Sequence, residues 1–231
     1  MSEQTDLAPT YRHVAWAYDA IASAYSLGAI DRAKAWHHRL IQPGSRVLYI
    51  GAGRGKEIAD ACLRGADVTC VEPCSTMASR LHDRLSAAGD GFTIVPKPVQ
   101  SIPPRPDYDL VVAHFFLNVF DAQRMPDVLA HLCRFVKPGG SIIIADFRPA
   151  QQNAGPVDRL MRWLYYHPVN IVGWLLRICA LHPVYDYAPR LNMSGLEIQT
   201  RESFRVLPVL PALYETVVAQ YKKEPPTCDG G

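Results

Sequence analysis

The sequence has no long run of lysine or arginine. Its 24 basic and 22 acidic residues are spread along 231 positions and leave a net charge of +2. Proteins that recognise nucleic acid usually carry a clustered basic surface. We therefore expect no DNA or RNA partner.

Long apolar runs are also absent. No stretch of about 18 residues is both apolar and uncharged, as a membrane-spanning helix requires. The nearest run, 163–181, contains His167, Pro168, Asn170 and Arg177, which argues against a spanning helix but is compatible with contact at a membrane surface. The first 15 residues lack the apolar core of a secretory signal. These features predict a cytoplasmic protein, with peripheral contact to the inner face of a membrane as an option.

The cysteines are scattered and lack metal-ligand spacing. Of the six cysteines, only Cys70 and Cys74 lie close together. A strand that ends between them would point the two side chains in different directions, and no second Cys or His cluster has ligand spacing. This pattern predicts no metal site, and free thiols in a reducing compartment.

The order of apolar patterns predicts one α/β domain. Helical spacing recurs over 11–41, and strands alternate with helices over 45–147, as in a parallel sheet with crossovers. Roughly forty residues then intervene, which is too long for a bare loop, before two strand-like runs at 196–206 and 214–221. The predicted parts are a disordered leader (1–10), N-terminal lid helices (11–43), a ligand-binding core (45–148), a lid insertion (149–192), final strands (193–221) and a frayed tail (222–231), with 11–221 forming the domain.

The most informative segment runs from Val47 to Glu72. It reads as an apolar strand, a glycine loop with Gly51, Gly53 and Gly55, a helix, and a second strand that ends in the acid. Glycine allows backbone to approach a ligand closely, and the following helix presents free N–H groups to it. Glu72 lies where a βαβ unit places a carboxylate beside ribose hydroxyls. The spacing G-x-G-x-G lacks the third glycine of the dinucleotide fingerprint, so the segment predicts a nucleoside ligand other than NAD.

This segment resembles motif I of the class I S-adenosylmethionine-dependent methyltransferases. Further resemblances follow in the order of that family: Asp107–Val112 is similar to its fourth strand, Val136–Gly140 to its L-K-P-G-G turn, and Ser141–Asp146 to its fifth strand. Tyr18–Tyr25 is similar to the Y-D-x-x-A-x-x-Y helix of the ubiquinone/menaquinone C-methyltransferases and the bacterial phospholipid N-methyltransferases. The resemblance implies a Rossmann-like, seven-stranded, mostly parallel sheet with helices on both faces, and methyl transfer from S-adenosylmethionine to a small molecule.

The resemblance also implies roles for individual residues. The glycines would hold the methionine portion, Glu72 the ribose and Met77 the adenine, while Tyr18 and Tyr25 would close over the ligand. The full predicted cofactor set is Tyr18, Tyr25, Tyr49, Gly51, Ala52, Gly53, Gly55, Glu72, Pro73, Met77, Val99, Gln100 and His114.

Two positions depart from the family pattern. Tyr49 replaces the usual acid near the methionine end, and a phenol carries no charge at neutral pH. The acid expected near the adenine amine is replaced by Lys97 or Pro98, although the side chain of Gln100 or Ser101 nearby could accept that hydrogen bond. Glu57 could supply the missing charge near the amino group. The departures leave two alternatives open: another kind of transfer from the same cofactor, or a non-catalytic binding module.

Aromatic residues concentrate outside the core. All four tryptophans lie in the N-terminal segment or in the insertion, and in this family the two segments meet over the carboxyl ends of the strands, where open α/β sheets bind ligands. We expect an aromatic lid and an aromatic or lipophilic acceptor, although packing of the lid onto the sheet would explain the same residues. The predicted acceptor-binding residues are Trp163, Tyr166, Tyr185 and Tyr187.

One histidine is a catalytic candidate, and three others are expected to have no functional role. His114 follows the fourth strand, where the cofactor and the acceptor would meet, and an imidazole there could remove a proton at neutral pH. It could equally pack against the cofactor or cap the strand. His37, His38 and His167 are expected on helix surfaces.

Overall fold

The strands and helices form a single layered α/β structure. The computed structural model describes residues 23, 25–51, 55–151, 153–175 and 183–222. Its strands are β1 (Arg46–Ile50), β2 (Asp67–Val71), β3 (Phe92–Val95), β4 (Tyr108–His114), β5 (Val136–Phe147), β6 (Leu196–Phe204) and β7 (Tyr214–Tyr221). They form a seven-stranded sheet in the order β3-β2-β1-β4-β5-β7-β6.

The pairing of these strands is mostly parallel. β1 pairs in parallel with β2 and β4, and the flanking pairs β2–β3 and β4–β5 are also parallel. β7 is antiparallel to both β5 and β6, so the last two strands form a hairpin at one edge. The predicted Rossmann-like fold is therefore confirmed, and the run predicted as the last strand coincides with β7.

Helices cover both faces of the sheet. They are α1 (Ala29–Ala35), α2 (Lys56–Leu63), α3 (Ser75–Ser86), α4 (Met125–Cys133), α5 (Pro156–Leu175) and α6 (Ala188–Met193), with 3₁₀ turns at Trp36–Leu40, Val99–Ser101 and Leu117–Val119. α4 buries Met125, Val128, Leu129 and Leu132, which is the spacing of one helix face.

Alternate residues of β5 face two separate cores. Ile142 and Ile144 pack with α4 and α6, whereas Ile143 packs with the side chains of α2 and α3. This alternation follows from the period of a strand, in which successive side chains point to opposite faces. Both faces of the sheet are thus buried.

The predicted lid segments touch each other within the described residues. The rings of Tyr25 and Tyr165 stack with centroids 4.6 Å apart, and the Tyr25 hydroxyl donates a hydrogen bond to the Tyr165 carbonyl oxygen. This contact joins the segment before α1 to α5. Among the helices of the described residues, none has the length and apolarity needed to cross a bilayer.

Candidate cofactor and acceptor site

The turn after β1 places glycines where a side chain would not fit. Gly51 and Gly55 have φ of +73° and +68°, in the region that side chains rarely adopt. A Cβ at Gly51 would lie 3.1 Å from the ring of Phe116, and one at Gly55 would lie 2.3 Å from Cδ1 of Leu81. Gly55 is also the residue that precedes α2. The chain therefore turns tightly from β1 into the N-terminus of α2, whose first N–H groups face the carboxyl edge of the sheet. Ala52 and Gly53 lie outside the described residues, as does Tyr18.

The residues after β2 form the predicted ribose and adenine side. Glu72 is buried, and its Oε1 accepts a hydrogen bond of 3.0 Å from the amide of Cys74. This bond fixes the carboxylate at the end of β2. Met77 is buried in the first turn of α3, while Pro73 is exposed. Beyond β3, Val99 is buried and Gln100 is exposed.

The hydroxyl of Tyr49 is bound to a histidine. It lies 2.6 Å from Nε2 of His37, and Nδ1 of His37 contacts the carbonyl oxygen of Lys34. Because a carbonyl only accepts, Nδ1 carries the proton and Nε2 accepts the proton of the Tyr49 hydroxyl. Burial, aided by His38, lowers the pKa of His37 to about 3, so the ring stays neutral. Burial, followed by the charge of Glu57, raises the pKa of Tyr49.

The prediction that His37 and His38 lie on a helix surface is wrong. Their exposed fractions are 0% and 7%, because the 3₁₀ turn that carries them docks against the start of α2. His38 Nε2 lies 2.9 Å from the carbonyl oxygen of Glu57 and donates to it. Each ring thus has a backbone acceptor outside its own turn, Lys34 in α1 for His37 and Glu57 in α2 for His38. His167, by contrast, is exposed on α5 as predicted.

His114 ends β4 inside the same cluster. Its ring lies 4.8 Å from that of His37, and its Nδ1 is 4.0 Å from Oε1 of Glu57. Both ring nitrogens are buried without a hydrogen-bond partner, which costs roughly 1–3 kcal/mol for each unpaired group. Burial, with smaller effects of His37 and Lys34, lowers the pKa of His114 well below its usual value. The imidazole is therefore neutral and has unused hydrogen-bonding capacity.

The predicted acceptor residues fall into two separate clusters. Tyr166 packs on Phe147, and its hydroxyl donates to the carbonyl oxygen of Leu213 at 2.6 Å, with the carbonyl oxygen of Arg148 also within 3.0 Å. Trp163, also on α5, is exposed and stacks on His167. The structure thus brings Tyr166 but not Trp163 onto the carboxyl edge of the sheet.

Tyr185 and Tyr187 lie in the core on the face of the sheet opposite to Tyr166. The hydroxyl of Tyr185 donates to the carbonyl oxygen of Phe120. The hydroxyl of Tyr187 donates to Oδ2 of Asp146, and Oδ1 of that carboxylate accepts from Asn118. Asp146 lies at the end of β5, so this network ties three chain segments together. Their role in binding an acceptor stays a prediction.

Asp146 makes the stability of the protein depend on pH. Burial raises its pKa to about 7, against the hydrogen bonds from Tyr187 and the backbone, which lower it. The folded state thus keeps a proton that the unfolded state loses near pH 4, and the free energy of unfolding falls as the pH rises from 4 to 7, by about 4 kcal/mol from this group.

We expect Asp146→Asn to remove this part of the pH dependence, because the amide resembles the protonated acid. Urea unfolding at pH 5, 6, 7 and 8 would show a smaller decline in the variant than in the wild type, and a more stable variant at pH 8. Asp90→Asn, at an exposed position, should keep the wild-type slope. Equal slopes in wild type and Asp146→Asn would contradict the assignment.

Several residues of the site carried no signal in the sequence. Lys34 and His37 come from the segment before β1, and Asp146 is linked to Tyr187 across 41 residues. Each of these residues meets its partner through a tertiary contact, which no local sequence pattern predicts. Within the described residues, no group of three or more His, Cys, Asp or Glu side chains has the geometry of a metal site.

Known proteins share this architecture at low sequence identity. The fold matches that of 1,6-didemethyltoxoflavin-N1-methyltransferase from Burkholderia thailandensis with a TM-score of 0.61 and 18% identity over 94% of this chain and 91% of that one. Magnesium protoporphyrin IX methyltransferase from Synechocystis PCC 6803 gives 0.60 and 16% over 84% and 82%. The N-methyltransferase NodS from Bradyrhizobium japonicum WM9 gives 0.58 and 12% over 84% and 97%. The curated proteins contain no sequence that matches the chain.

A family model covers the core of the site. Residues 47–140 match the model described as a methyltransferase domain, and this range contains the glycine turn, Glu72 and His114. Residues 47–140 thus match the methyltransferase domain family, and the sheet that contains them has the fold of class I methyltransferases.

Proposed function

We propose that the protein is an S-adenosylmethionine-dependent methyltransferase that acts on a small aromatic or lipophilic acceptor. The observation that carries the proposal is the turn from β1 into α2, where left-handed Gly51 and Gly55 exclude side chains next to the buried Glu72. The match of residues 47–140 to the methyltransferase domain model supports it, as do the bound ligands of the similar structures, S-adenosylhomocysteine in two of them.

The residues present fit this cofactor. Gly51 and Gly55 let the chain turn tightly from β1 into α2, so the free N–H groups of α2 can face the methionine portion. The Glu72 carboxylate can accept hydrogen bonds from ribose hydroxyls. Met77 offers an apolar surface for adenine. The unpaired ring nitrogens of His114 lie where the strands end, and a polar ligand group there would satisfy them.

Bound S-adenosylmethionine would supply an electrophilic methyl group on a sulfonium. The protein then has to align the acceptor and exclude water, since an in-line displacement needs no protein nucleophile. Phe115, Phe147, Tyr166 and Tyr214 form an aromatic cluster at the ends of β4 and β5. An apolar or planar acceptor fits such a surface better than a charged one.

His114 remains the candidate base for an acceptor that must lose a proton. Its neutral ring is in the correct protonation state at physiological pH, but a lowered pKa weakens its attraction for a proton. An acceptor that carries no proton at the methylated atom would need no base at all. The burial of His114 favours a role in hydrogen bonding over one in proton removal.

We further propose that α5 contacts a membrane, from which a lipophilic acceptor could enter. Between positions 163 and 175 the helix has no Asp, Glu, Lys or Arg. Its apolar side chains Val157, Leu160, Met161, Trp163, Leu164, Ile171, Val172, Trp174 and Leu175 are 37–65% exposed. Trp163 and Trp174 are eleven positions apart, close to three helical turns, so both point to the same side. Tryptophan at one side of an exposed apolar helix is typical of interfacial attachment. The free thiols among the described residues suit a reducing compartment, which supports our proposal of a cytoplasmic protein at the inner face of a membrane.

Replacing both tryptophans should release the protein from lipid. We expect Trp163→Ser/Trp174→Ser to lower partitioning into phosphatidylglycerol–phosphatidylethanolamine vesicles at least about tenfold, because two large apolar contacts are lost. Sedimentation with vesicles measures the bound fraction. Met193→Ser, at an exposed apolar position on α6, is the matched control. Equal partitioning of the tryptophan variant and wild type would disprove membrane contact by α5.

Calorimetric titration with S-adenosylmethionine and S-adenosylhomocysteine tests the main proposal. Micromolar binding of both is expected, and S-adenosylhomocysteine should form when a panel of quinones, phenols and amines is supplied. No binding of either ligand would refute the proposal. A second candidate is the transfer of a different group from the same cofactor, and the replacement of the family acid by Tyr49 favours it. This activity would be identified by formation of an adenosyl product other than S-adenosylhomocysteine. Binding without turnover would indicate a non-catalytic module.

A further inference from the structure

Two opposite charges lie beside the neutral Tyr49, where the resembled family has an acid. Nζ of Lys34, near the end of α1, is 3.5 Å from Oε1 of Glu57 in the first turn of α2. Both side chains are largely shielded from solvent, at 18% and 14% exposure. An ion pair so placed does little for stability on balance, because desolvation offsets much of the attraction. Its position at the carboxyl edge of the sheet suggests another role.

The pair and its neighbours provide three acceptors, of which Glu57 itself is the first. Oε1 of Glu57 lies 4.0 Å from the unpartnered Nδ1 of His114, too far for a hydrogen bond but a distance that one ammonium nitrogen could bridge. The Tyr49 oxygen is the third, because its own proton is donated to His37, so its lone pairs remain to accept. The cluster thus offers one full negative charge and two neutral acceptors close together.

Donors belong to the same cluster. Lys34 supplies a positive charge, and the N-terminus of α2, preceded by Gly55, supplies free N–H groups and the positive end of the helix dipole. A ligand with adjacent ammonium and carboxylate groups is complementary to this arrangement. The ammonium and the carboxylate of such a ligand add no net charge. Lys34 can therefore pair with the ligand carboxylate and Glu57 with the ligand ammonium, and no buried charge is left uncompensated.

We propose that Lys34 and Glu57 hold the carboxylate and the ammonium of the ligand's α-amino acid, and that the acid missing from β1 has moved to α2. The inference rests on the proposed function, since it assumes an S-adenosyl amino acid as ligand. Tyr49 and His114 complete the ammonium site as neutral acceptors. Lys34 lies outside the segment 47–140 that matches the methyltransferase model, so the carboxylate partner comes from the N-terminal segment.

Three ligands separate these contacts in calorimetric titrations. S-adenosylhomocysteine has both charged groups, S-adenosyl-3-thiopropylamine lacks only the carboxylate, and 5′-methylthioadenosine lacks the whole amino acid. Lys34→Met should weaken S-adenosylhomocysteine about tenfold to hundredfold, the usual effect of losing a charged hydrogen-bond partner, and leave the other two unchanged. Glu57→Gln should weaken both amine-bearing ligands and spare 5′-methylthioadenosine.

The controls distinguish recognition from folding. Lys34→Arg keeps the charge and should retain affinity. Lys222→Met makes the same charge change as Lys34→Met at an exposed site directly after β7, and it should have no effect. Equal weakening of all three ligands in Lys34→Met would mean a structural role and overturn the inference. Equal binding of all three ligands by the wild type would also overturn the inference, but it would leave the proposed cofactor unchallenged. A wild type that binds none of them would refute the proposed function itself.

Discussion

Gly140→Ala is expected to destabilise the protein by about 3 kcal/mol, near the upper end for a single added methyl group. A Cβ at this position would lie 2.8 Å from the carbonyl oxygens of both Tyr108 and Asp109 and 3.1 Å from that of Lys137. All three are backbone atoms, two in the neighbouring strand β4 and one in β5 itself, so they cannot move aside as a flexible side chain would.

The local geometry explains the close approach. β4 and β5 pair at Tyr108–Val136 and again at Leu110–Ser141. The strand β5 therefore advances five positions while β4 advances two, and the K-P-G-G residues are accommodated in an irregularity of the ladder. Gly140 lies where the extra residues rejoin the sheet, against the β4 carbonyls.

Thermal unfolding measures the effect, which should lower Tm by about 10 °C for a chain of this length. Gly155→Ala is the matched control, because a Cβ there has no neighbour within 4 Å, and it should leave Tm almost unchanged. Equal Tm values for Gly140→Ala and Gly155→Ala would show that the K-P-G-G turn does not pack closely against β4.

The sequence predicted the sheet because its signals are local. The apolar runs before Gly51 and around 214–221 are buried on both faces or paired at the hairpin, so their patterns carry the strand assignment directly. Glycine at Gly51 and Gly55 has a steric reason that any side chain would violate. Those residues could be read without tertiary information.

The polar interior of the site could not be read in this way. His37 and His38 look like surface residues because they are polar and adjacent, yet both are buried by docking of their turn on α2. Their partners, Lys34 and Glu57, are on either side of β1 in the chain and meet only in the fold. Similarly, α5 continues through Pro168, although proline normally ends or bends a helix. A buried network of hydrogen-bonded polar groups depends on contacts between residues far apart in the chain, and such contacts produce no periodic pattern in the sequence.

Glu72→Gln is expected to weaken S-adenosylhomocysteine binding about thirtyfold, the result of losing charge-assisted hydrogen bonds to the ribose. Glutamine is preferred to alanine because its amide oxygen can still accept from the Cys74 amide, as Oε1 of Glu72 does. The turn after β2 should therefore keep its conformation, and any loss of affinity reports on the ligand. Calorimetry provides the affinity, and unchanged thermal unfolding shows that the fold is intact.

A second ligand makes the ribose assignment specific. An S-adenosylhomocysteine analogue without its 2′ and 3′ hydroxyls should bind the wild type weakly, and Glu72→Gln should weaken it little further, because the hydroxyls that the carboxylate would hold are already absent. Glu202→Gln, at an exposed position on β6, should not alter either affinity. If Glu72→Gln reduces the binding of both ligands by the same factor, the carboxylate acts through the fold or the general electrostatics of the site, and the ribose must be held by other groups. If the variant binds S-adenosylhomocysteine as tightly as the wild type does, Glu72 has no role in recognition, and its burial at the end of β2 serves the turn alone.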